Sequence, residues 1–426
     1  MTSEQRLAAE ASALAVASST GGDARLRPRG SNQGGLRQFN ERVVLQAIRL
    51  HGPSAKAEIA RLTHLTPQTV QLIIGRLEAE DLVCKLAPVR GKVGQPSVPM
   101  ALNPDGAFSI GVVIGRRRMD MLLIDFVGRV RERLSLEYRF PDPQTLFDDI
   151  TTRLRQLRRG LKPALRQRLQ GIGMSAPLSI GGWRELLDFE PEIAQRWERV
   201  DLHERAAALG DAVGLPVEVV KDTAAACVAE LVTGRGRNLR SFLYLFVDTF
   251  IGGGLVLDSH RFEGAHGNAG AVGSLPLGLR HGTQWQPAQL LSVASLWRLE
   301  SQYAAAGLAV DAWHDDRAFA KRWRAVTDAW LADAADAIAL SINSAACLLD
   351  IDAVIVDGSF GREMLAGLLE AIGPALDRYS WEGVSRPQVL PGTVGSDARA
   401  IGGAMLPLHA AFAPDRELFL KGEKER

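Results

Sequence analysis

The chain has 426 residues, a formal net charge of +1 at pH 7, 46% hydrophobic residues and 23% charged residues. Such a length and composition predict a globular protein with two or three domains and substantial cores. A charge so near zero argues against a protein that coats nucleic acid nonspecifically. The cysteines, Cys84, Cys227 and Cys347, are far apart in sequence. This spacing argues against a disulfide scaffold and favours reduced thiols in a cytoplasmic protein.

Residues 1–35 are predicted to be a flexible N-terminal tail. An Ala-rich part is followed by a Gly-rich end that carries Arg25, Arg27 and Arg29, a composition typical of disordered segments. The tail lacks a basic region followed by a clean apolar core, so no signal peptide is predicted. Since no apolar run in the sequence approaches the length of a membrane span, we expect a cytoplasmic protein with no membrane partner.

Residues 36–105 are predicted to form a winged helix-turn-helix domain. The apolar spacing predicts a first helix over Asn40–Leu50. Gly52-Pro53 ends this helix, because proline cannot continue it. Ser54 is expected to cap a second helix, whose buried side includes Ala57.

The third helix has the features of a DNA recognition helix. Thr66 is a favourable N-cap, and Pro67 fits the first helical position, where a missing N–H costs nothing. The apolar side chains with core spacing are Val70, Ile73, Ile74 and Leu77. The first residues of a recognition helix are those that reach base edges. The predicted DNA contacts of the helix pair are Lys56, Thr66, Gln68, Thr69, Gln71 and Arg76.

Gln68 and Gln71 are the predicted readers of sequence, because a glutamine amide can bond two atoms of an adenine edge. Two interpretations are open for these residues. They contact bases, or they are solvated polar residues on an amphipathic helix. The segment that follows the helix favours the first interpretation.

A basic, Gly-rich segment is predicted to form the wing. Strand candidates at residues 84–86 and 98–102 flank a turn that contains Arg90, Lys92 and Gln95, which are expected to contact phosphates. From residue 37 to residue 92 the sequence has nine basic and five acidic residues. Since ordinary domains also carry such an excess, it supports DNA binding without deciding it.

From Phe108 onward, apolar strand candidates alternate with helices, which is typical of an α/β domain. The strand candidates are SIGVVIG, MDMLLIDFVGRV, GIGMSAPLSI and residues 215–220, 241–247 and 353–356. The helix candidates are residues 145–161, 223–233 and 325–348.

The chain resembles the ROK family of repressors, open reading frames and sugar kinases, in its transcription-regulator branch, from residue 36 to about residue 410. The segments that carry the resemblance are GKVGQP, KDTAAACVAE, FIGGGLVLDSHRFEGAHGNAGAVGSLPLG, INSAACLLDIDAVIVDGSF and GSDARAIGGAMLPL, in the family's order. The resemblance implies that residues 106–426 form an actin-like, hexokinase-type pair of α/β lobes with a sugar cleft between them. It also implies that the last helix returns to the first lobe.

Three segments that hold nucleotide phosphates in the family's kinases are altered. They read Val113-Ile114-Gly115-Arg116-Arg117-Arg118 in place of DxGGTK, Asp248-Thr249-Phe250-Ile251-Gly252-Gly253-Gly254 in place of GTGxGGG, and Asp357-Gly358-Ser359 in place of a GGG turn. Bulky or charged residues obstruct the approach of phosphate to backbone amides, and Asp248 is expected to repel it. Because phosphoryl transfer depends on that positioning, we predict no catalytic residue, no cofactor and no enzyme activity. Arg116–Arg118 are interpreted as solvated surface arginines, with anion binding as the alternative.

The family's sugar motif is kept in part. Asp222 matches the catalytic aspartate, while Lys221, Ala271 and Ser274 stand where the family has Asn, Glu and His. The resemblance assigns effector binding to Lys221, Asp222, Asn268, Gly270 and Ser274. Lys221 beside Asp222 fits either an acidic or phosphorylated sugar or an ion pair that closes an empty site. Since no cysteine follows Ser274 nearby and His281 is isolated, no metal site is predicted.

The sequence thus favours a DNA-binding transcription regulator, a repressor of carbohydrate-related genes. It is expected to bind a double-stranded DNA operator as a homodimer or homotetramer and a sugar-type effector in the cleft. Two alternatives are a ROK sugar kinase that has kept a DNA-binding domain, and a regulator that binds no ligand and is controlled by a protein partner.

Overall fold

The structure, a computed structural model, describes residues 33–88, 98–182, 184–278 and 287–414. These residues form an N-terminal unit followed by two α/β lobes. Most of the predicted tail, the predicted wing residues Arg90, Lys92 and Gln95, and His281 lie outside the described residues.

The N-terminal unit consists of helices and a small antiparallel sheet. The helices are α1 (Gln33–His51), α2 (Lys56–Thr63) and α3 (Pro67–Ala79), and the strands are β1 (Val83–Lys85) and β2 (Met100–Leu102). Helix α1 begins earlier than the sequence predicted, at Gln33. The order of these elements is consistent with a winged helix-turn-helix.

The two predicted helix caps of this unit have opposite outcomes. Thr66 accepts a hydrogen bond from the backbone N–H of Thr69 at 3.2 Å, and Pro67 opens α3, as predicted. The prediction for Ser54 was wrong, because α2 begins at Lys56 after Ala55, which makes no side-chain cap. The backbone of Ser54 instead exchanges hydrogen bonds of 3.0 and 2.9 Å with Met100. A tertiary strand contact has therefore replaced a local cap.

The apolar core of the N-terminal unit continues directly into the first lobe. Val44, Ile59 and Val70 are fully buried and belong to the same apolar cluster as Phe126 and Ala404 of the lobe. A short 3₁₀ turn at Pro104–Gly106 is all that separates β2 from the first strand of the lobe. The unit is therefore packed against the lobe through a shared core. Ala57, predicted to be buried, is exposed.

The first lobe is built on a five-stranded mixed sheet. Its strands are β3 (Phe108–Ile114), β4 (Arg118–Asp125), β5 (Val130–Glu137), β6 (Leu169–Ala176) and β7 (Val217–Lys221), in the order β5-β4-β3-β6-β7. Its helices are α4 (Pro143–Gly160), α5 (Pro163–Arg166), α6 (Arg184–Leu187), α7 (Pro191–Glu198) and α8 (Leu202–Val213).

The second lobe repeats the same strand order. Its strands are β8 (Phe242–Val247), β9 (Gly252–Leu257), β10 (His260–Phe262), β11 (Ala353–Gly358) and β12 (Gln388–Pro391), in the order β10-β9-β8-β11-β12. The helices before, within and after these strands are α9 (Asp222–Val232), α10 (Leu290–Ala294), α11 (Leu296–Ala305), α12 (Lys321–Leu349), α13 (Arg362–Leu376) and α14 (Ala398–Phe412). The strands that come first, fourth and fifth along the chain are parallel in each sheet. They are β3, β6 and β7 in the first lobe and β8, β11 and β12 in the second. Loops at the carboxyl ends of parallel strands are where α/β proteins bind ligands.

Helix α14 returns from the second lobe to the first, as the resemblance implied. It packs against α9 and against β3 and β6 of the first sheet. This contact requires glycine, because a Cβ on Gly402 would lie 1.7 Å from the carbonyl oxygen of Ala225, and one on Gly173 would lie 1.8 Å from that of Gly403. The two lobes are therefore joined by a close helix crossing.

Helix α12 is long and apolar enough, by length and composition alone, to cross a membrane. This differs from the expectation that no apolar run approaches the length of a membrane span. A core helix has the same properties, and Trp330, Ala334, Ile338 and Ile342 of α12 are buried in the core of the second lobe. We therefore interpret α12 as a core helix.

Candidate functional site

A cavity between the lobes contains most of the predicted effector residues. It measures about 770 Å³, counting the space open to solvent. Lys221 and Asp222 enter it from the junction of β7 and α9, and Asn268 and Ser274 enter it from the loop after β10. Gly270 is not among the residues that line it, and its α-carbon packs against the backbone of Gly254.

Asp222 is the first residue of α9 and is 8% exposed. Its Oδ1 accepts a hydrogen bond from the Thr223 N–H at 2.8 Å, and its Oδ2 lies 3.7 Å from Nη1 of Arg399. Within the described ranges, Lys221 has no ion pair with Asp222. The carboxylate is thus paired with an arginine of α14, while it also attracts the lysine beside it at longer range.

Arg399 also binds Asp248, the residue that follows β8. Its Nη1 lies 2.5 Å from Oδ2 of Asp248. Burial, the largest influence, raises the pKa of Asp248, but the Arg399 guanidinium, hydrogen bonds from Ser359 and Thr249, and the charge of Arg116 together outweigh it, and the pKa is lowered. From the sequence alone, Asp248 is a charge that would repel phosphate. In the structure that charge is matched by Arg399.

The expectation that Arg116–Arg118 are solvated surface arginines holds for the exposure of Arg117 and Arg118, but both are ion-paired, and Arg116 is only partly exposed. Arg117 donates to both carboxylate oxygens of Glu300 on α11 at 2.7 Å, and Arg118 donates from Nε to Asp120 at 2.8 Å. The Arg117 pair joins the β3–β4 turn of the first lobe to a helix of the second. These arginines form contacts within and across the cleft, on the side where the family's kinases hold nucleotide phosphates.

Arg116 lies in the cleft itself. Its guanidinium carbon is 4.8 Å from the centre of the Phe250 ring, and Nη2 makes only a long 3.5 Å contact to the carbonyl oxygen of Ser179. Its Nε is buried and has no hydrogen-bond partner among the described residues. Burial, the largest influence, lowers the pKa of Arg116, although Asp222 and Asp248 act in the opposite direction.

The predicted DNA-contacting residues of α3 lie on one side of the N-terminal unit. Gln68 and Gln71 are exposed, and Thr69 is half-buried. The Thr66 hydroxyl caps the helix, as described above. Arg76 donates to Glu41 of α1 at 3.2 Å, and this pairing reduces its freedom to contact phosphate.

Lys56, at the start of α2, is half-buried. Leu72 of α3 is 64% exposed. The face of α3 that carries Gln68, Gln71 and Leu72 is therefore open to a ligand.

Sequence reasoning missed the arginines that fasten the N-terminal unit to the lobe. Arg237 donates to the carbonyl oxygens of Arg49 and Leu50, at the carboxyl end of α1. Arg42 of α1 donates to the carbonyl oxygen of Ala413, just after α14, at 3.3 Å. Burial lowers the pKa of Arg49, in this same contact region, to about 10. No motif identifies these residues, because their partners are distant in sequence.

No group of three or more His, Cys, Asp or Glu side chains suited to a metal ion occurs in the part of the chain that the structure describes. Ser274, at the family's zinc-histidine position, lines the cleft.

A model described as the ROK family matches residues 109–410. The xylose repressor of Bacillus subtilis is 23% identical over 246 residues, which are 57% of this chain and 61% of the repressor. A solved ROK family transcriptional regulator, a homologue of the E. coli MLC protein, has a TM-score of 0.64 and 19% identity, and covers 88% of this chain and 97% of its own.

A solved ROK family glucokinase from Streptomyces griseus, in complex with glucose and AMPPNP, has a TM-score of 0.56 and 22% identity, and covers 70% of this chain and 99% of its own. The structural likenesses show the fold, an actin-like, hexokinase-type pair of lobes. Named relatives thus include a repressor as well as a kinase. Because the family model matches well over half of its residues, the chain belongs to the ROK family.

Proposed function

We propose that this protein is a DNA-binding transcription regulator, a cytoplasmic repressor of carbohydrate-related genes that acts as a homodimer or homotetramer. The observation that carries the proposal is the N-terminal unit, whose helices and small sheet follow the order of a winged helix-turn-helix. The likeness to a transcriptional regulator covers 88% of this chain, whereas the likeness to the glucokinase covers 70% of it. Residues 36–105 would be the DNA-binding domain and residues 106–426 the effector and oligomerisation domain, after a tail of residues 1–35.

In this proposal, α3 enters the major groove. Gln68 and Gln71 bond adenine edges, and Leu72 contacts a thymine methyl group. The wing residues Arg90, Lys92 and Gln95 bind phosphates and supply affinity without sequence information. Lys56 adds a further phosphate contact, and Arg76 does so only if it leaves Glu41. Two such units in a dimer read a pseudo-palindromic site.

The cleft is proposed to bind a sugar-type effector without catalysis. Asp222, which a kinase would use as a general base, is held by Arg399, and Arg117 and Glu300 join the lobes on the phosphate side. A phosphate at that place would have to displace paired side chains. No step of phosphoryl transfer is therefore assigned to the chain.

Helix α14 is the proposed connection between the effector cleft and the DNA-binding unit. Its first turn carries Arg399, and Phe412 in its last turn contacts Phe126, at a centroid distance of 4.7 Å. The Phe126 ring also lies 5.0 Å from the guanidinium of Arg49 on α1. A helix of 15 residues spans roughly 22 Å. An effector that binds the open and closed lobes with different affinity would shift α14, and with it α1.

The proposal is tested by selection of genomic DNA. The purified full-length chain is mixed with sheared genomic fragments of its source organism, and the retained fragments are sequenced. We expect enrichment of a pseudo-palindromic sequence near carbohydrate-related genes. Retention without any enriched sequence, or no retention at low salt, would refute a sequence-specific regulator.

A sugar kinase is the second candidate, and the retained Asp222 at the start of α9 favours it. It is tested by incubating the full-length chain with ATP-Mg and a panel of hexoses. Sugar phosphate that accumulates with time and disappears in the Asp222→Asn variant would establish the kinase. We expect none.

A further inference from the structure

We propose that the effector is an anionic sugar, one that bears a carboxylate or a phosphate, and that Arg116 and Lys221 bind its charged group. This inference rests on the proposed function, because it names the ligand class of the same cleft. It goes beyond the family resemblance, since Arg116 belongs to the altered phosphate segment and was not among the expected effector residues.

Arg116 offers unused donors inside the cavity. It lines the same space as Lys221 and Asp222. Its Nε is buried without a partner among the described residues, and its hydrogen bond within them is the 3.5 Å contact to Ser179. A buried donor without an acceptor is unfavourable. A guanidinium in this condition is well matched to a carboxylate or a phosphate, which can accept two parallel hydrogen bonds.

Lys221 supplies a second positive charge at the same cavity. It ends β7 and directly precedes α9. Burial lowers the pKa of Lys221 against the opposing attraction of Asp222. Among the described residues the lysine has no ion pair, and the Asp222 carboxylate is within 3.7 Å of Arg399.

The charges around the cavity therefore do not cancel. Asp222 is the acidic residue among the residues that line it, and Arg399 already faces that carboxylate. Asp248, beside the cavity, also acts on Arg116, so two carboxylates face the three cations Arg116, Lys221 and Arg399. One positive charge is left in excess, next to the amino end of the 11-residue helix α9, which carries partial positive charge. A neutral sugar would leave this charge uncompensated, whereas an anion compensates it.

The remainder of the cavity suits the sugar part of such a ligand. Asn268 and Ser274 offer an amide and a hydroxyl for hydrogen bonds to sugar hydroxyls, while Ile251 and Leu291 provide apolar surface. Most ligand sites combine apolar walls with a few polar groups in this manner.

The test is calorimetric titration of the full-length chain with glucose, glucuronate, glucose 6-phosphate and inorganic phosphate. We expect at least one acidic sugar to bind at least about tenfold more tightly than glucose. Glucuronate bears a carboxylate and glucose 6-phosphate bears a phosphate, so a comparison of their affinities shows which charged group the cavity prefers. The Arg116→Gln and Lys221→Gln variants are each expected to weaken this binding by about tenfold or more. Arg116→Lys, which keeps the charge but not the paired donors, should show an intermediate loss.

Arg240→Gln is the matched control. Arg240 is 73% exposed and pairs with Asp258 away from the cavity, so this variant should bind as the wild type does. Thermal melting without ligand shows whether each variant is folded. If Arg116→Gln does not fold, Lys221→Gln carries the test.

Three results would overturn the inference: glucose binding as tightly as the acidic sugars, unchanged binding by both variants, or inorganic phosphate alone binding as tightly as the acidic sugars. Absence of binding by every acidic sugar would also overturn it. None of these outcomes changes the expected enrichment of a DNA sequence in the genomic selection. A failure of the proposed function would appear instead as the loss of DNA selection while sugar binding remains measurable.

Discussion

Nη1 of Arg399 lies 2.5 Å from Oδ2 of Asp248, at the base of the cleft. Asp248 belongs to the second lobe, and Arg399 is in the helix that returns to the first lobe. The same nitrogen is 3.7 Å from Asp222 of α9. One guanidinium therefore faces two carboxylates, on which Arg116 also acts, and it links the lobes where a kinase would hold its substrates.

Replacing Arg399 with Met should destabilise the protein strongly. The change leaves Asp222 and Asp248 buried without their cation, and breaking a buried pair in this way costs about 3–5 kcal/mol. Urea denaturation of the full-length chain measures the change in the free energy of unfolding. The double variant Arg399→Met with Asp248→Asn removes one orphaned charge and should recover part of the loss. If the single and the double variant lost the same free energy of unfolding, the result would contradict the pairing of Arg399 with Asp248.

The ion pair also predicts a dependence of stability on pH. The folded-state pKa of Asp248 is lowered below its ordinary value of 3.8. Its contribution to stability is therefore fully present above that ordinary value, and it is lost as the pH falls through the lowered pKa. Acid titration followed by circular dichroism should show a shallower loss of stability below pH 3.8 in Asp248→Asn than in the wild type. An identical slope would contradict the prediction.

Gly402→Ala should disturb the crossing of α14 and α9. The added Cβ would lie 1.7 Å from the carbonyl oxygen of Ala225, so the helices must separate, at a cost of about 1–3 kcal/mol or more. Gly75→Ala in α3 is the matched control, because a Cβ there meets nothing within 4 Å. That change should stabilise by about 0.5–1 kcal/mol, since alanine favours the helix. Melting temperatures that changed in the same direction for both variants would refute this account of the crossing.

Thr66→Ala should weaken the N-terminal unit by removing the cap of α3. The hydroxyl oxygen accepts from the Thr69 N–H, and loss of such a cap costs about 1 kcal/mol. Thr66→Ser keeps the acceptor and should retain most of the stability. Hydrogen exchange of the first-turn amides of α3 measures the effect. Protection that did not change in Thr66→Ala would mean that the cap contributes nothing.

Local patterns predicted the parts of the fold that depend on neighbours in sequence. The Thr66-Pro67 start of α3 and its buried residues follow from helix periodicity and capping. Ser54 shows the limit, because its backbone pairs with Met100, and no local rule contains that contact. Strand β5 (Val130–Glu137) was not recognised, since it lies at a sheet edge and three consecutive charged residues, 131–133, leave it without an apolar run.

The cleft was harder to predict, because its contacts join distant segments. Three consecutive arginines resemble a solvated surface, yet Arg116 stacks on Phe250 and Arg117 binds Glu300 across the lobes. Asp222 was identified from the resemblance, whereas its partner Arg399 was assigned no role, although the segment GSDARAIGGAMLPL contains it. Pairing of this kind depends on the tertiary fold, which the alignment of motifs does not contain.

The central claim is that α3 reads DNA sequence, and fluorescence anisotropy with a fragment obtained by genomic selection tests it most directly. The variant with both Gln68→Ala and Gln71→Ala is compared with the wild type and with Gln388→Ala, an exposed glutamine on β12. Each lost bidentate contact is worth about 1–3 kcal/mol of discrimination. We expect the double variant to bind the selected and a scrambled fragment almost equally, while Gln388→Ala binds as the wild type does. An unchanged preference for the selected fragment in the double variant would contradict the account.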